Sequence, residues 1–212
     1  ISDVVEVNGN SLPNMRNLLT RIIPGNWGLP AVSKIFAKQF GQQKFDPSYV
    51  VTDEVELTRL FSCLNIEFLR SKPGMDPFAG NCTIEKRLTG LGIFNFKSND
   101  INSMMHETNT STSHLDAVDP RTLKKWQDDK IFYIITSAPF FILDLCIPLL
   151  VITFDFVVIQ VPSGYLSNAP SPRRDFIRAL AETKRIRYLL SSQRKNANFG
   201  RYAHWIIIVS RP

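Results

Sequence analysis

The stretch KPGMDPFAGNCTI, Lys72–Ile84, reads as the end of a strand, a tight turn of small residues and the start of a helix. In many α/β proteins a nucleotide-type cofactor binds at such a turn, next to the helix N-terminus. Cys82 stands where a second glycine is expected, and a positive φ there would cost a cysteine on the order of 1 kcal/mol. The stretch therefore predicts a cofactor loop, and the alternatives are a decayed loop or a simple turn.

Strands and helices alternate from Lys72 onward. The segments GIFNFKSND (92–100) and KIFYIITSAPF (130–140) are rich in β-branched and aromatic residues, as strands are. The run VITFDFVVIQVP (151–162) is apolar on both faces, which is typical of the centre of a parallel sheet. RIRYLLSS and RYAHWIIIVSR, near the end of the chain, predict a closing antiparallel hairpin. The pattern predicts an α/β fold with a Rossmann-like, doubly wound sheet.

The region before this alternation has a different character. Residues 1–44 contain turn formers and predict an N-terminal extension with one short helix, Pro30–Phe40. A second helix is predicted from about Thr52, which is a suitable N-cap because Glu54 and Glu56 follow in the first turn. We therefore expect two units, an extension at 1–44 and one α/β domain at 45–212.

The most apolar run is FFILDLCIPLLVITFDFVVIQVP, Phe140–Pro162. Its length would span a bilayer, but Asp144, Pro148 and Asp155 interrupt it. A buried helix followed by a central strand explains the run better, so we expect no membrane partner.

Composition narrows the class of protein. The 212 residues carry 25 Lys and Arg against 19 Asp and Glu, a net charge of +6 that favours a polyanionic partner such as nucleic acid. Cys63, Cys82 and Cys146 are widely spaced in apolar segments. They form neither a disulfide framework nor a zinc pattern, so we expect no metal site and an intracellular, reducing compartment, whether cytoplasmic, nuclear or organellar.

Three stretches carry a resemblance to a known family. DPFAGNCT, Asp76–Thr83, is similar to the cofactor loop of class I S-adenosylmethionine-dependent methyltransferases, and TSAPF, Thr136–Phe140, is similar to their catalytic tetrapeptide. VVIQVPSGYL, with the later WIIIV, resembles the fifth strand and closing hairpin. The chain looks most like the methyltransferases of DNA and RNA base amino groups. The resemblance covers about residues 45–212 and implies a seven-stranded sheet.

The resemblance implies S-adenosylmethionine as the cofactor. The implied cofactor-binding residues are Asp76, Pro77, Phe78, Gly80, Asn81, Thr83, Asp100 and Asp116. Asp76 would bind the cofactor amino group or order the loop, and Thr83 would cap the following helix. Asp100 would bind the ribose hydroxyls, or alternatively cap the next turn. Asp116 would hold the adenine amino group, or alternatively serve as a turn acid.

The implied catalytic residues are Ser137, Ala138, Pro139 and Phe140. In the family, the first side chain and the following carbonyl accept hydrogen bonds from the target amino group, and the aromatic ring stacks on the base. Ala138 replaces a proline of the pattern, as Cys82 replaces a glycine. The alternative function is therefore a catalytically inactive nucleic-acid-binding or scaffold subunit with a protein partner. A third function is methylation of a protein amide.

The last third of the chain is basic, with aromatic residues interleaved. Its basic residues are Arg173, Arg174, Arg178, Lys184, Arg185, Arg187, Arg194, Lys195 and Arg201. This run could follow a phosphate backbone, and the alternative is a set of solvated surface charges. Trp126 and Trp205 are predicted to pack in the core.

Overall fold

The computed structural model describes residues 54–101, 113–167, 171–183, 185–191 and 203–209. The predicted extension at 1–44, its helix at Pro30–Phe40 and the Thr52 cap lie outside these residues and stay predictions. The helices are α1 (Glu54–Cys63), α2 (Ile66–Ser71), α3 (Thr83–Gly90), α4 (Pro120–Asp128), α5 (Leu143–Thr153), α6 (Gly164–Ser167) and α7 (Ser171–Glu182). The strands are β1 (Gly74–Asp76), β2 (Phe96–Ser98), β3 (Tyr133–Thr136), β4 (Phe156–Pro162), β5 (Ile186–Ser191) and β6 (Ala203–Val209).

The strands form one sheet in the order β2-β1-β3-β4-β6-β5. The first four are parallel to one another, whereas β6 runs antiparallel to both β4 and β5. At the outer edge of β2, Asn99 and Ser113 form an isolated parallel bridge, which takes the position of the expected seventh strand. The Rossmann-like doubly wound sheet and its closing antiparallel hairpin are confirmed.

Helices cover both faces of the sheet, and alternating strand residues supply the two halves of the core. On β3, Tyr133 and Ile135 join a cluster with α1 and α3, while Ile134 joins the cluster of α4, α5 and α7. Trp126 and Trp205 are both buried, one in each cluster, so their predicted core role is confirmed. Two buried faces explain why the central strands read as continuous apolar runs.

The apolar run at Phe140–Pro162 folds as expected, into a helix followed by a central strand. A short 3₁₀ turn, Phe140–Ile142, leads into α5, and β4 then crosses the middle of the sheet. The strand begins at Phe156 instead of Val151, because α5 continues through Thr153. Within the described part of the chain, no helix is both long enough and apolar enough to cross a bilayer.

Two expectations about the region after Glu54 were wrong. The single predicted helix is divided in two, because the Asn65 side chain accepts a hydrogen bond from Phe68 N over 3.1 Å and starts α2. Such a cap favours a new helix over continuation of the old one. Cys63, at the end of α1, is exposed rather than set in apolar surroundings.

Candidate cofactor and methyl-transfer site

The predicted site residues meet at one edge of the sheet. Because β2, β1 and β3 are adjacent and parallel, their carboxyl ends place Asp100, Asp76 and Ser137 along the same edge. This is where ligands bind in open α/β sheets. The fold therefore brings together the DPFAG loop and the SAPF tetrapeptide, which are 60 residues apart at the Asp76–Thr136 contact.

Asp76 organises the loop from inside. Its side chain is 1% exposed, and Oδ1 accepts hydrogen bonds from Phe78 N (3.1 Å) and Thr136 Oγ1 (2.6 Å). Burial raises the pKa of this carboxyl from 3.8 to about 7; the two hydrogen bonds lower it, and the carboxylates of Asp100 and Glu85 raise it further. Of the two roles weighed for Asp76, these contacts match loop ordering.

Gly80 and Asp100 contact each other directly. Gly80 N donates to Asp100 Oδ2 over 2.8 Å, across a separation of 20 residues. Gly80 has φ 51°, so a residue without a side chain suits this position. Ala79 N also donates to Asn99 O (2.9 Å), so the segment after β2 holds the loop through two backbone amides. The Asp100 carboxylate therefore lies against the cofactor loop.

Cys82 adopts the left-handed conformation, with φ 60° and ψ 30°. The condition that would strain a cysteine is therefore met. Cys82 is also the N-cap of α3 and makes no side-chain cap, whereas Thr83 is the first helical residue. The expected capping role of Thr83 is wrong, because its hydroxyl donates backwards to Asn81 Oδ1 instead. Asn81 is exposed, and its carbonyl accepts from Lys86 Nζ over 2.8 Å.

Asn99 joins three segments and was missed in the sequence. Its fully buried amide donates to Pro77 O (3.0 Å) and Leu115 O (2.9 Å) and accepts from Leu115 N (2.9 Å) and Ser113 Oγ (2.7 Å). Both ends of the side chain are fully used, so Asn99 fixes the cofactor loop relative to the segment that carries Asp116. Its position beside Asp100 in a polar strand end was the only available signal.

Asp116 lies in a turn before α4. Its Oδ1 accepts from Val118 N over 3.1 Å, and its carbonyl accepts from Asp119 N. These contacts match the alternative role, a turn acid. Asp119 then caps α4 through Arg121 N (2.8 Å), with Pro120 at the first helical position as expected.

The tetrapeptide follows β3 and contains two candidate hydrogen-bond acceptors, Ser137 Oγ and the carbonyl of the buried Ala138. Ser137 Oγ donates its proton to Gln160 Oε1 over 2.8 Å, which leaves the oxygen lone pairs as acceptors. The Ala138 carbonyl accepts no hydrogen bond from any residue in the described ranges. Pro139, with φ −53°, starts the 3₁₀ turn that carries Phe140. The half-buried rings of Phe140 and Phe78 both pack against the α4–α5–α7 core cluster.

The basic residues of the last third divide into different environments. Arg173 forms a two-pronged ion pair with Asp144, through Nε (2.6 Å) and Nη2 (2.7 Å), and stacks on Tyr165. Its charge is therefore neutralised within the fold, contrary to a role on phosphate. Arg185 is half-buried. The exposed members are Arg174, Arg178 and Arg187; Lys184, Arg194, Lys195 and Arg201 lie outside the described residues.

Across the described ranges, His, Cys, Asp and Glu form no cluster that could hold a metal ion.

No sequence profile of a known protein family and no curated protein sequence matches the chain. Solved structures resemble it in fold. The methyltransferase subunit of a type I restriction-modification system from Streptococcus thermophilus has a TM-score of 0.58 at 11% identity, covering 83% of this chain and 47% of the subunit. A candidate RNA methyltransferase from Pyrococcus horikoshii has a TM-score of 0.53 at 13% identity, covering 84% of this chain and 99% of its own.

A third similar structure is a candidate class I S-adenosylmethionine-dependent methyltransferase from Listeria monocytogenes. Its TM-score is 0.51 at 10% identity, and the match covers 86% of this chain and 67% of the other. The chain spans about half the length of the streptococcal subunit. It shares the Rossmann-like fold of these solved structures, which is the fold that the sequence predicted.

Proposed function

We propose that the chain is an S-adenosylmethionine-dependent methyltransferase acting on an exocyclic amino group of a nucleic-acid base. The observation that carries the proposal is the pair of neighbouring acceptors, Ser137 Oγ and the Ala138 carbonyl. An amino group has two N–H donors and can bond to both, whereas a hydroxyl group has one. When both N–H groups are hydrogen-bonded, the nitrogen lone pair points away from the two acceptor oxygens. Positioning of this kind contributes to catalysis without a strong base.

The site has groups that fit the cofactor. Asp100 and Asp116 offer carboxylate oxygens to hydroxyl and amino donors, and the half-buried Phe78 ring offers an apolar wall. The N-terminus of α3 lacks a side-chain cap, so its first amides favour a carboxylate ligand. Asp76, Pro77, Gly80, Asn81 and Thr83 complete the proposed cofactor set. S-adenosylmethionine would supply the methyl group.

The tetrapeptide supplies the remaining functions. Pro139 fixes the backbone next to the Ala138 carbonyl, and the Phe140 ring would stack on a base turned out of its helix. The net charge of +6 and the exposed Arg174, Arg178 and Arg187 support a phosphate backbone as part of the ligand. The three free thiols support an intracellular, reducing compartment.

One observation favours a second function, that of an inactive subunit which binds nucleic acid or a protein partner. Asp100 Oδ2 already accepts from Gly80 N, so one oxygen of the acid implied for the ribose is engaged within the protein. The strained Cys82 stands beside this contact. The Gly80 amide therefore competes with the cofactor for that oxygen.

Calorimetric titration with S-adenosylmethionine and S-adenosylhomocysteine separates the two functions. Micromolar binding supports the enzyme. Absence of binding at millimolar ligand would contradict it and favour the inactive subunit. Asp100→Ala provides a check on the site, because removal of the carboxylate should abolish binding. Asp128→Ala is the matched control, since Asp128 is an exposed acid paired with Lys124.

Transfer itself is tested with radiolabelled cofactor and three acceptors: single-stranded DNA, RNA and a glutamine-containing peptide. Incorporation into nucleic acid supports the proposal, and incorporation only into the peptide would overturn it in favour of a protein amide. Ser137→Ala combined with Phe140→Ala should abolish transfer while cofactor affinity is retained. Ser71→Ala removes an exposed hydroxyl that donates to Phe68 O, and should change neither quantity.

A further inference from the structure

Gln160 is a buried polar residue in an otherwise apolar strand. It lies in β4, Phe156–Pro162, and is 3% exposed. A buried amide needs hydrogen-bond partners, because leaving it unpaired costs about 1–3 kcal/mol. Its Oε1 has one, the Ser137 hydroxyl at 2.8 Å. Within this buried strand, one polar side chain thus contacts the tetrapeptide.

The other half of the amide is available. Among the residues that the structure describes, Gln160 Nε2 has no hydrogen-bond partner. It also differs from the three unpaired side-chain atoms that are fully buried, Asn95 Oδ1, His204 Nδ1 and Trp205 Nε1. Trp205 lies directly opposite Gln160 in the β4–β6 register and is completely buried, so a rigid ring stands next to the amide on the same sheet face. One amide thus fixes the Ser137 proton and presents a donor beside it.

We infer that Gln160 is a specificity-determining residue, and this inference rests on the proposed function. Ser137 Oγ accepts and Gln160 Nε2 donates, so the pair matches an amino group next to an unprotonated ring nitrogen. Adenine presents N6–H₂ beside N1 or N7, and cytosine presents N4–H₂ beside N3. Uracil presents a carbonyl beside an N–H on the corresponding edge, which reverses the pattern. Guanine does the same at O6 and N1, and only its N2–H₂ beside N3 fits the pair. The pair therefore selects an amino group next to an unprotonated ring nitrogen, as in adenine and cytosine, and rejects uracil.

Cytidine and uridine are a matched pair of probes, because they differ in this donor and acceptor pattern. We would follow the Gln160 side-chain amide by NMR in ¹⁵N-labelled protein, assigning it by its loss in Gln160→Glu. Excess S-adenosylhomocysteine keeps adenosine out of the cofactor site. Millimolar cytidine or adenosine should shift the Gln160 amide signal, and uridine should not. The inference would be overturned if neither cytidine nor adenosine shifted the signal, or if uridine shifted it equally.

Kinetics of two variants give an independent readout. Gln160→Glu keeps an acceptor for the Ser137 proton but removes the donor, whereas Gln160→Leu removes both. Loss of the Gln160 Nε2 hydrogen bond to the base should lower kcat/KM by roughly tenfold or more in Gln160→Glu, with cofactor affinity unchanged. Wild-type transfer by Gln160→Glu would show that the amide only orients Ser137. Calorimetry on the same samples distinguishes a failed cofactor site, which contradicts the proposed function, from a failed base contact.

Discussion

Thr136 Oγ1 donates to Asp76 Oδ1 over 2.6 Å, and both side chains are buried. Asp76 begins the cofactor loop, and Thr136 directly precedes the first residue of the tetrapeptide. The hydrogen bond crosses from β1 to β3, so it links the two halves of the site at the point where their strands end. A substitution at either residue should therefore alter both the cofactor loop and the tetrapeptide.

Asp76→Asn should remove a pH dependence of stability. The folded pKa of Asp76, about 7, lies above its ordinary 3.8, so the folded state binds the proton more tightly. The stabilisation that protonated Asp76 gives the folded state is complete below pH 4 and is lost as the pH rises through about 7. Asparagine imitates the protonated carboxyl at every pH. Between pH 5 and 7, the free energy of unfolding of the variant should rise relative to that of the wild type by about 1 kcal/mol per pH unit. Urea unfolding measures this difference.

The control for this experiment is Asp128→Asn, an exposed acid paired with Lys124. Its unfolding free energy should follow that of the wild type across the same pH range, because surface pairs contribute little. Parallel curves for Asp76→Asn and the wild type would contradict a raised pKa at Asp76.

Thr136→Val should destabilise the fold by about 1–2 kcal/mol, because it keeps the shape of the side chain and removes the donor to a buried carboxyl. The hydrogen bond from Thr136 lowers the pKa of Asp76, so its loss should raise that pKa further. A double-mutant cycle with Asp76→Asn, measured by urea unfolding, should give a nonzero interaction energy. Strict additivity of the two changes would show that the hydrogen bond contributes nothing to stability.

The sequence predicted the sheet well, because strands buried on both faces leave long apolar runs and the DPFAG turn marks their carboxyl edge. It predicted less about the contacts within the site. Asn99, Thr136 and Gln160 act through partners that are 14 to 60 residues away, and local patterns carry no information on such pairings. Gln160 had one usable signal, a polar residue within an apolar strand.

The misplaced helix cap has a local cause. Thr83 is a typical capping residue by type, but the left-handed backbone at Cys82 moves the helix start one residue earlier. A cysteine gives no reason to expect that conformation, since residues other than glycine rarely adopt it. The same substitution that weakened the match to the cofactor loop therefore also hid the boundary of α3.

Asn99→Ala should destabilise the protein by about 3 kcal/mol, because it leaves a buried carbonyl and three part-buried groups (a carbonyl, an amide and a hydroxyl) without their partner. Cofactor affinity should fall as well, since Asn99 positions the cofactor loop. Gln127→Ala removes an exposed amide that donates to Thr153 O, and should cost well under 1 kcal/mol. Equal effects of the two changes in urea unfolding would show that the three-segment contact is unimportant.

The left-handed backbone at Cys82 can be tested by comparing the stabilities of the glycine and alanine variants, whose usual order should be reversed there. In a helix interior alanine is more stable than glycine by about 1 kcal/mol, but at φ 60° the preference should invert by a similar amount. Cys82→Gly should therefore be more stable than Cys82→Ala, both having lost the buried thiol. The same pair at Lys86, an exposed position within α3, should show the ordinary order. If alanine is favoured at both positions in chemical unfolding, Cys82 does not adopt a positive φ in solution.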